Sequence, residues 1–208
     1  MSGTTQVQSY YPLGLPPGSV RAIITLMIAS LFWLLTMVPQ PPEAPPLHIP
    51  LFLFGLLPMV LLFFAAHGRT IRPDGVQVRS PLYLPRGMLR VLLVLGFAAV
   101  IGYQYYLDPE RLLARLTPNP DELWKVPSLL LTLGLGFLIG HLMRQGPWRN
   151  SPVYQNMMAW LSIVATLILL AEMVIELVIK PGLLVEFDPF TFECILTGVI
   201  SFYFGARS

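Results

Sequence analysis

Residues 67–90 read HGRTIRPDGVQVRSPLYLPRGMLR, and this segment decides how the chain is threaded through a membrane. Apolar runs lie on both sides of it. A basic segment between two apolar runs is typical of a cytoplasmic loop that joins two membrane helices. The segment has a single acid, Asp74, and its arginines are Arg69, Arg72, Arg79, Arg86 and Arg90.

The composition excludes an ordinary soluble domain. Of the 208 residues, 55% are hydrophobic and 12% are charged, whereas soluble domains carry about 25% charged residues. The formal net charge of +2 is too small to indicate nucleic-acid binding. The single cysteine, Cys194, excludes an internal disulfide or a cysteine-rich zinc site. The expected partners are therefore the lipid bilayer and a homo- or hetero-oligomeric membrane partner, with no nucleic acid, cofactor or metal.

Six apolar runs predict an all-α integral membrane protein with a six-helix transmembrane bundle. About 20 apolar residues in a helix cross the ~30 Å hydrocarbon layer. A cleaved signal peptide is the competing interpretation of the first run, but PQPPEAPP follows it rather than a small-residue cleavage site. The last run is the shortest and contains Glu193, so the alternative is five spans plus a C-terminal interfacial or re-entrant helix. A polar segment at residues 1–19 precedes one polytopic domain at 20–208, whose predicted spans are residues 20–38, 49–66, 88–107, 126–143, 153–179 and 190–204.

The distribution of basic residues predicts the orientation of these spans. With six spans, nine of the thirteen basic residues fall on the side of the 67–90 segment and both termini. The positive-inside rule makes that side cytoplasmic, with N-in and C-in topology. The location that we expect is a bacterial inner membrane. Pro73-Asp74-Gly75 is turn chemistry between two short β-prone pieces, which predicts a cytoplasmic hairpin between the second and third spans. Its arginines could also contact lipid headgroups or a partner.

Three acids lie within apolar sequence and are the candidate ion or proton site. Glu172 and Glu176 are four residues apart, so they share one helix face. Glu193 enters the last run from the same outer side. A charged side chain in hydrocarbon is costly and usually faces a bundle interior, a partner or a water-filled cavity. The competing interpretation is that Glu176 and Glu193 are interfacial and that Glu172 hydrogen-bonds to a neighbouring helix.

Glycines in the run at 126–143 predict close helix packing. Gly136 and Gly140 have the spacing that lets two membrane helices approach each other closely. The pattern is weakly specific because glycine is common in membrane helices.

The sequence favours a protein without catalytic activity of its own. It contains no GxSxG, no GxxxxGK[ST] and no HExxH motif. We expect a scaffold or accessory subunit that acts by association. A small proton- or cation-coupled transporter or channel that uses the three glutamates is the alternative. A lipid-modifying membrane enzyme is a third hypothesis, supported only by location.

Overall fold

The computed structural model describes residues 18–39, 48–66, 81–85, 87–180 and 189–207. The prediction of an all-α fold is confirmed over these residues, which form helices and contain no strand. A π-helical turn, Ile175–Ile179, continues α6 without a break, and short 3-10 turns precede α3, α5 and α6. The helices are α1 (Ser19–Met37), α2 (Leu51–Ala66), α3 (Met88–Leu107), α4 (Pro109–Leu116), α5 (Val126–Gln145), α6 (Pro152–Val174) and α7 (Phe190–Arg207).

Local sequence signals explain where several helices begin. The Asp108 carboxylate accepts a hydrogen bond from the Arg111 amide at 2.9 Å, and Pro109 follows it as the first residue of α4. Ser151 caps α6 in the same way through the Tyr154 amide. Helix α1 follows Gly18 and has no side-chain cap. The Ser19 hydroxyl at its start accepts a hydrogen bond from the Leu82 amide.

One end of the bundle collects arginines, and we call it the arginine end. The Arg21 guanidinium in the first turn of α1 donates to the Arg207 carbonyl in the last turn of α7 at 2.9 Å. The start of α3 lies beside the start of α1, because Leu89 packs with Ala22. The start of α6 lies beside the end of α7 through Tyr154 and Ala206. Arg90 and Arg144 belong to this end, and no acid lies there among the described residues.

The opposite end collects acids, and we call it the glutamate end. It holds the ends of α1, α3 and α6 and the starts of α2, α5 and α7. The Ile49 amide before α2 donates to the Arg115 carbonyl of α4 at 3.2 Å. The Lys125 ammonium before α5 lies 5.7 Å from the Phe190 ring of α7. Successive long helices therefore run in alternating directions.

The core lies between α1, α2, α6 and α7, and the outer faces are apolar. Ile28, Leu53 and Leu196 belong to this core and are fully buried. On the outside, Val94 of α3 is 67% exposed and Leu131 of α5 is 61% exposed. Apolar surface on this scale marks contact with lipid or another apolar partner. Within the described residues, four helical stretches are long and apolar enough to cross a membrane: Ser19–Met37, Met88–Leu107, Pro109–Gln145 and Pro152–Ile179.

Helices α5 and α7 pack more closely than any other pair because glycines lie on both. A Cβ atom at Gly136 would lie 2.6 Å from the Gly198 carbonyl oxygen, and one at Gly140 would lie 2.7 Å from the Ala206 nitrogen. From the other side, a Cβ at Gly205 would lie 2.9 Å from the Phe137 carbonyl carbon. The glycine face predicted for α5 therefore packs against a helix of the same chain.

The short helix α4 packs one face against the end of α1. Leu112 and Arg115 are buried, whereas Leu113 on the opposite face is exposed. The Arg115 guanidinium donates to carbonyl oxygens in the last turn of α1, at Thr36 and, at 2.8 Å, at Val38. A helix end leaves such carbonyls without intrahelical partners, so a cation is stabilising there.

The predicted hairpin within residues 67–90 and Arg69, Arg72, Arg79 and Arg86 lie outside the described residues. So do residues 1–17 of the polar segment predicted at residues 1–19. The last helix is 18 residues long rather than the 15 predicted. Its length is about 27 Å at 1.5 Å per residue.

Candidate functional site

The three glutamates named from the sequence come together at the glutamate end. Glu172 and Glu176 lie on α6 and its π-helical continuation, and Glu193 lies in the first turn of α7. One carboxylate oxygen from each lies within 4.8 Å of one from each of the others. All three residues are buried, with Glu172 at 0% exposure. The chain thus forms a buried three-carboxylate cluster from two helices.

Lys180 is a fourth member of this cluster and was not among the site residues predicted from the sequence. Its ammonium forms an ion pair with Glu176 and lies 4.0 Å from the nearest Glu193 oxygen. The spacing of Glu176 and Lys180, four residues apart on one helix, was a signal that could have identified it. The Lys180 side chain is 30% exposed. Its ammonium therefore connects the buried carboxylates to the surface of the bundle.

Glu172 is the most unusual member of the cluster. Neither of its carboxylate oxygens has a hydrogen-bond partner within the part of the chain that is described. The expectation that Glu172 hydrogen-bonds to a neighbouring helix therefore has no counterpart in that part. Buried polar groups in native proteins are nearly always paired, and an unpaired carboxylate costs more than a neutral group. A proton on this carboxylate, or a cation beside it, would offset that cost.

The backbone changes at the same place. Residues 175–179 form a π-helical turn between Glu172 and Lys180. Such turns are rare, and in many proteins they lie at functional sites because they rotate side chains away from the regular α-helical direction. An α-helix would already place Glu172 and Glu176 on one face, so the spacing of these residues does not predict this turn.

A second ion pair lies beside the cluster without changing its net charge. The buried Lys125 ammonium is 3.5 Å from a Glu122 oxygen. The same ammonium lies 5.8 Å from the Trp124 ring centre, within the range of a cation–π contact. The cluster itself, with its carboxylates ionised and Lys180 protonated, carries two uncompensated negative charges.

An apolar cavity begins one helical turn further along α7. It has a volume of about 190 Å³ and lies between α2, α5 and α7. Thr197 contributes a buried hydroxyl with no hydrogen-bond partner in the described structure. The rest of the lining is apolar, including Leu51, Phe52 and Leu133. Because this lining is almost entirely apolar, the cavity offers few oxygen ligands to an ion.

The other residues named from the sequence lie away from this cluster. Arg90 is exposed in the first turn of α3, at the arginine end. Gly136 and Gly140 lie in the α5–α7 interface.

Over the part of the chain that the structure describes, these features define an all-α fold with four helices that could span a membrane and with a buried carboxylate cluster at one end of its bundle. Comparison with known protein families, curated protein sequences and solved structures finds no match to this chain. The functional argument therefore depends on the geometry of the site.

Proposed function

We propose that this protein is a small membrane transporter or channel that binds a cation or a proton at Glu172, Glu176 and Glu193. The observation that carries the proposal is the buried cluster, in which Glu172 has no hydrogen-bond partner among the described residues. Three carboxylates in a low-dielectric region repel one another and lose their hydration. Binding a proton or a cation offsets both costs, so the cluster is suited to a reversible ligand.

The proposal includes six spans with both termini on the cytoplasmic side, in a bacterial inner membrane. The alternating helix directions support it, as does the concentration of arginines at one end. Helix α7 is 18 residues long, and at about 27 Å it reaches most of a ~30 Å hydrocarbon layer. The glutamate cluster then lies near the outer boundary of the membrane.

Cysteine labelling tests this topology. Cys194 is replaced by serine, and single cysteines are introduced as Glu110→Cys at the glutamate end and Gln145→Cys at the arginine end. A membrane-impermeant maleimide should label position 110 in intact cells and position 145 only after permeabilisation. The opposite pattern would invert the proposed orientation, and labelling of both positions in intact cells would contradict the single span between them.

Flux measurements test the function. The purified chain is reconstituted into liposomes that contain a pH dye or a cation-sensitive dye, and proton, Na⁺, Ca²⁺ and Mn²⁺ gradients are applied in turn. We expect Glu172→Gln to reduce the flux of the transported ion to the level of empty liposomes. Glu110→Gln is the matched control, because Glu110 is an exposed acid at the same end. Equal flux in wild type and Glu172→Gln would refute the assignment of Glu172.

The alternative of a scaffold or accessory subunit stays a prediction. Its motif-based support was the glycine face of α5, and α7 covers Gly136 and Gly140 within the chain. Native mass spectrometry in mild detergent tests it. A partner that co-purifies in fixed stoichiometry, together with no flux of any ion, would favour association over transport.

A further inference from the structure

We propose that Lys180 is a tethered counter-cation of the Glu172, Glu176 and Glu193 cluster, and that a hard divalent cation, Ca²⁺ or Mn²⁺, displaces it on binding. This inference rests on the proposed function and names the ligand class and the internal competitor of its site. It departs from the sequence-based expectation of no metal, which rested on the absence of histidine and cysteine motifs. A site for a hard cation needs oxygen ligands instead.

The positions of the oxygens fit a single ion. One oxygen from each glutamate lies within 4.8 Å of the others. Ligand oxygens bind Ca²⁺ at 2.3–2.6 Å, so two oxygens on opposite sides of one ion are at most about 5 Å apart. The three carboxylates can therefore reach one ion through side-chain rotation, without movement of α6 against α7.

Glu172 supplies independent evidence that the cluster holds a ligand. It is 0% exposed, and both of its oxygens are unpartnered in the described structure. One of these oxygens belongs to the set that converges within 4.8 Å. Lys180 compensates Glu176 directly and Glu193 at 4.0 Å. Lys180 forms no ion pair with Glu172 in the described structure, so Glu172 is the carboxylate that an added cation would bind.

Charge favours a divalent ligand over a monovalent one. With all three carboxylates ionised and Lys180 protonated, the cluster has two uncompensated negative charges. A divalent cation that replaces the ammonium leaves a single negative charge, whereas a monovalent cation that replaces it gains nothing electrostatically. The neighbouring Lys125 and Glu122 are paired at 3.5 Å and add no net charge.

Lys180 is placed to leave the cluster. It follows the last residue of the π-helical turn, and its side chain is 30% exposed. A lysine ammonium on a flexible four-carbon stem can extend to the membrane interface while its stem remains on apolar surface. Displacement therefore needs rotation of one side chain and exposes no other buried charge of the described cluster.

The test measures divalent-cation binding to the full chain in nanodiscs of zwitterionic phosphatidylcholine, which lack anionic headgroups that would bind the cations. CaCl₂ and MnCl₂ are titrated calorimetrically at constant NaCl concentration. We expect Lys180→Met to lower the Kd about tenfold or more, because a positive charge about 4 Å from the ligands no longer competes. Lys180→Arg keeps the charge and should stay within about threefold of wild type. Glu172→Gln should weaken binding at least about tenfold, because it removes a charged ligand.

Each result decides the proposal. If Lys180→Met binds no more tightly than Lys180→Arg, Lys180 is a structural ion-pair partner and the inference is wrong. If no variant binds Ca²⁺ or Mn²⁺ while Glu172-dependent flux of protons or Na⁺ persists, the inference is wrong and the proposed function stands. If Lys180→Met binds more tightly but no ion is transported, the inference stands and the transport proposal fails. Lys180→Gln serves as the second neutral variant if Lys180→Met does not fold.

Discussion

Replacing Gly140 by alanine should separate α5 from α7. The added Cβ atom would lie 2.7 Å from the Ala206 nitrogen, and it would also overlap the Phe202 carbonyl oxygen. Carbon atoms in favourable contact lie about 3.5–4.0 Å from their neighbours, so the helices must move apart by roughly 1 Å. Both obstructing atoms belong to the backbone of α7, so no change of rotamer relieves the overlap.

The magnitude follows from a matched pair of glycines on α5. Gly134 has open space where its Cβ would be, with no heavy atom within 4 Å. Alanine is favoured over glycine in a helix by up to about 1 kcal/mol, and this gain is common to both variants. Overpacking costs about 1–3 kcal/mol and applies to Gly140→Ala alone. We therefore expect the free energy of unfolding of Gly140→Ala to be about 1–3 kcal/mol lower than that of Gly134→Ala.

The assay is reversible unfolding of the purified protein in mixed micelles with increasing dodecyl sulfate, followed by helical circular dichroism. The same two variants are titrated with CaCl₂, because Glu193 is carried on α7 and a shifted α7 would separate it from Glu172. We expect weaker Ca²⁺ binding in Gly140→Ala and unchanged binding in Gly134→Ala. Equal stability of the two variants would refute the packing argument. A stability difference without any change in Ca²⁺ binding would refute the link between this interface and the cluster.

Three further predictions concern buried polar groups. Arg115→Met should lower the free energy of unfolding by about 2–4 kcal/mol, because charged hydrogen bonds to the end of α1 are lost. Chemical denaturation measures this free energy, with Arg111→Met as the control. Ser151→Ala should cost about 1 kcal/mol by removing the cap of α6, and hydrogen exchange of the first turn of α6 should rise with it. Thr197→Val should be neutral or should stabilise the protein by up to about 1 kcal/mol, because it removes a buried hydroxyl without a partner in the described structure. Ser201→Ala should destabilise the protein by about 1 kcal/mol, because it removes the hydrogen bond to the Gly198 carbonyl. A Thr197→Val variant less stable than Ser201→Ala would contradict this reasoning.

The sequence by itself determined the helices and most of their boundaries. The predicted span at 88–107 coincides with α3, and those at 20–38 and 126–143 differ from α1 and α5 by one or two residues at their ends. These features depend on local chemistry: the length of an apolar run, a proline or a capping side chain at its start, and a break after it. Counting basic residues also predicted that nine of the thirteen fall on one side, because the count depends only on alternation along the chain.

The tertiary structure alone decided which residues meet. The sequence placed Glu172 and Glu176 on one face, but only the packing of α7 on α6 brings Glu193 within 4.8 Å of them. Arg115 was an outer basic residue in the sequence, and the fold buries it against the end of α1. The glycine pattern indicated close packing without naming a partner, which proved to be α7. Contacts between distant segments depend on which apolar faces cover one another, and nearly uniform apolar helices carry no pattern that specifies this.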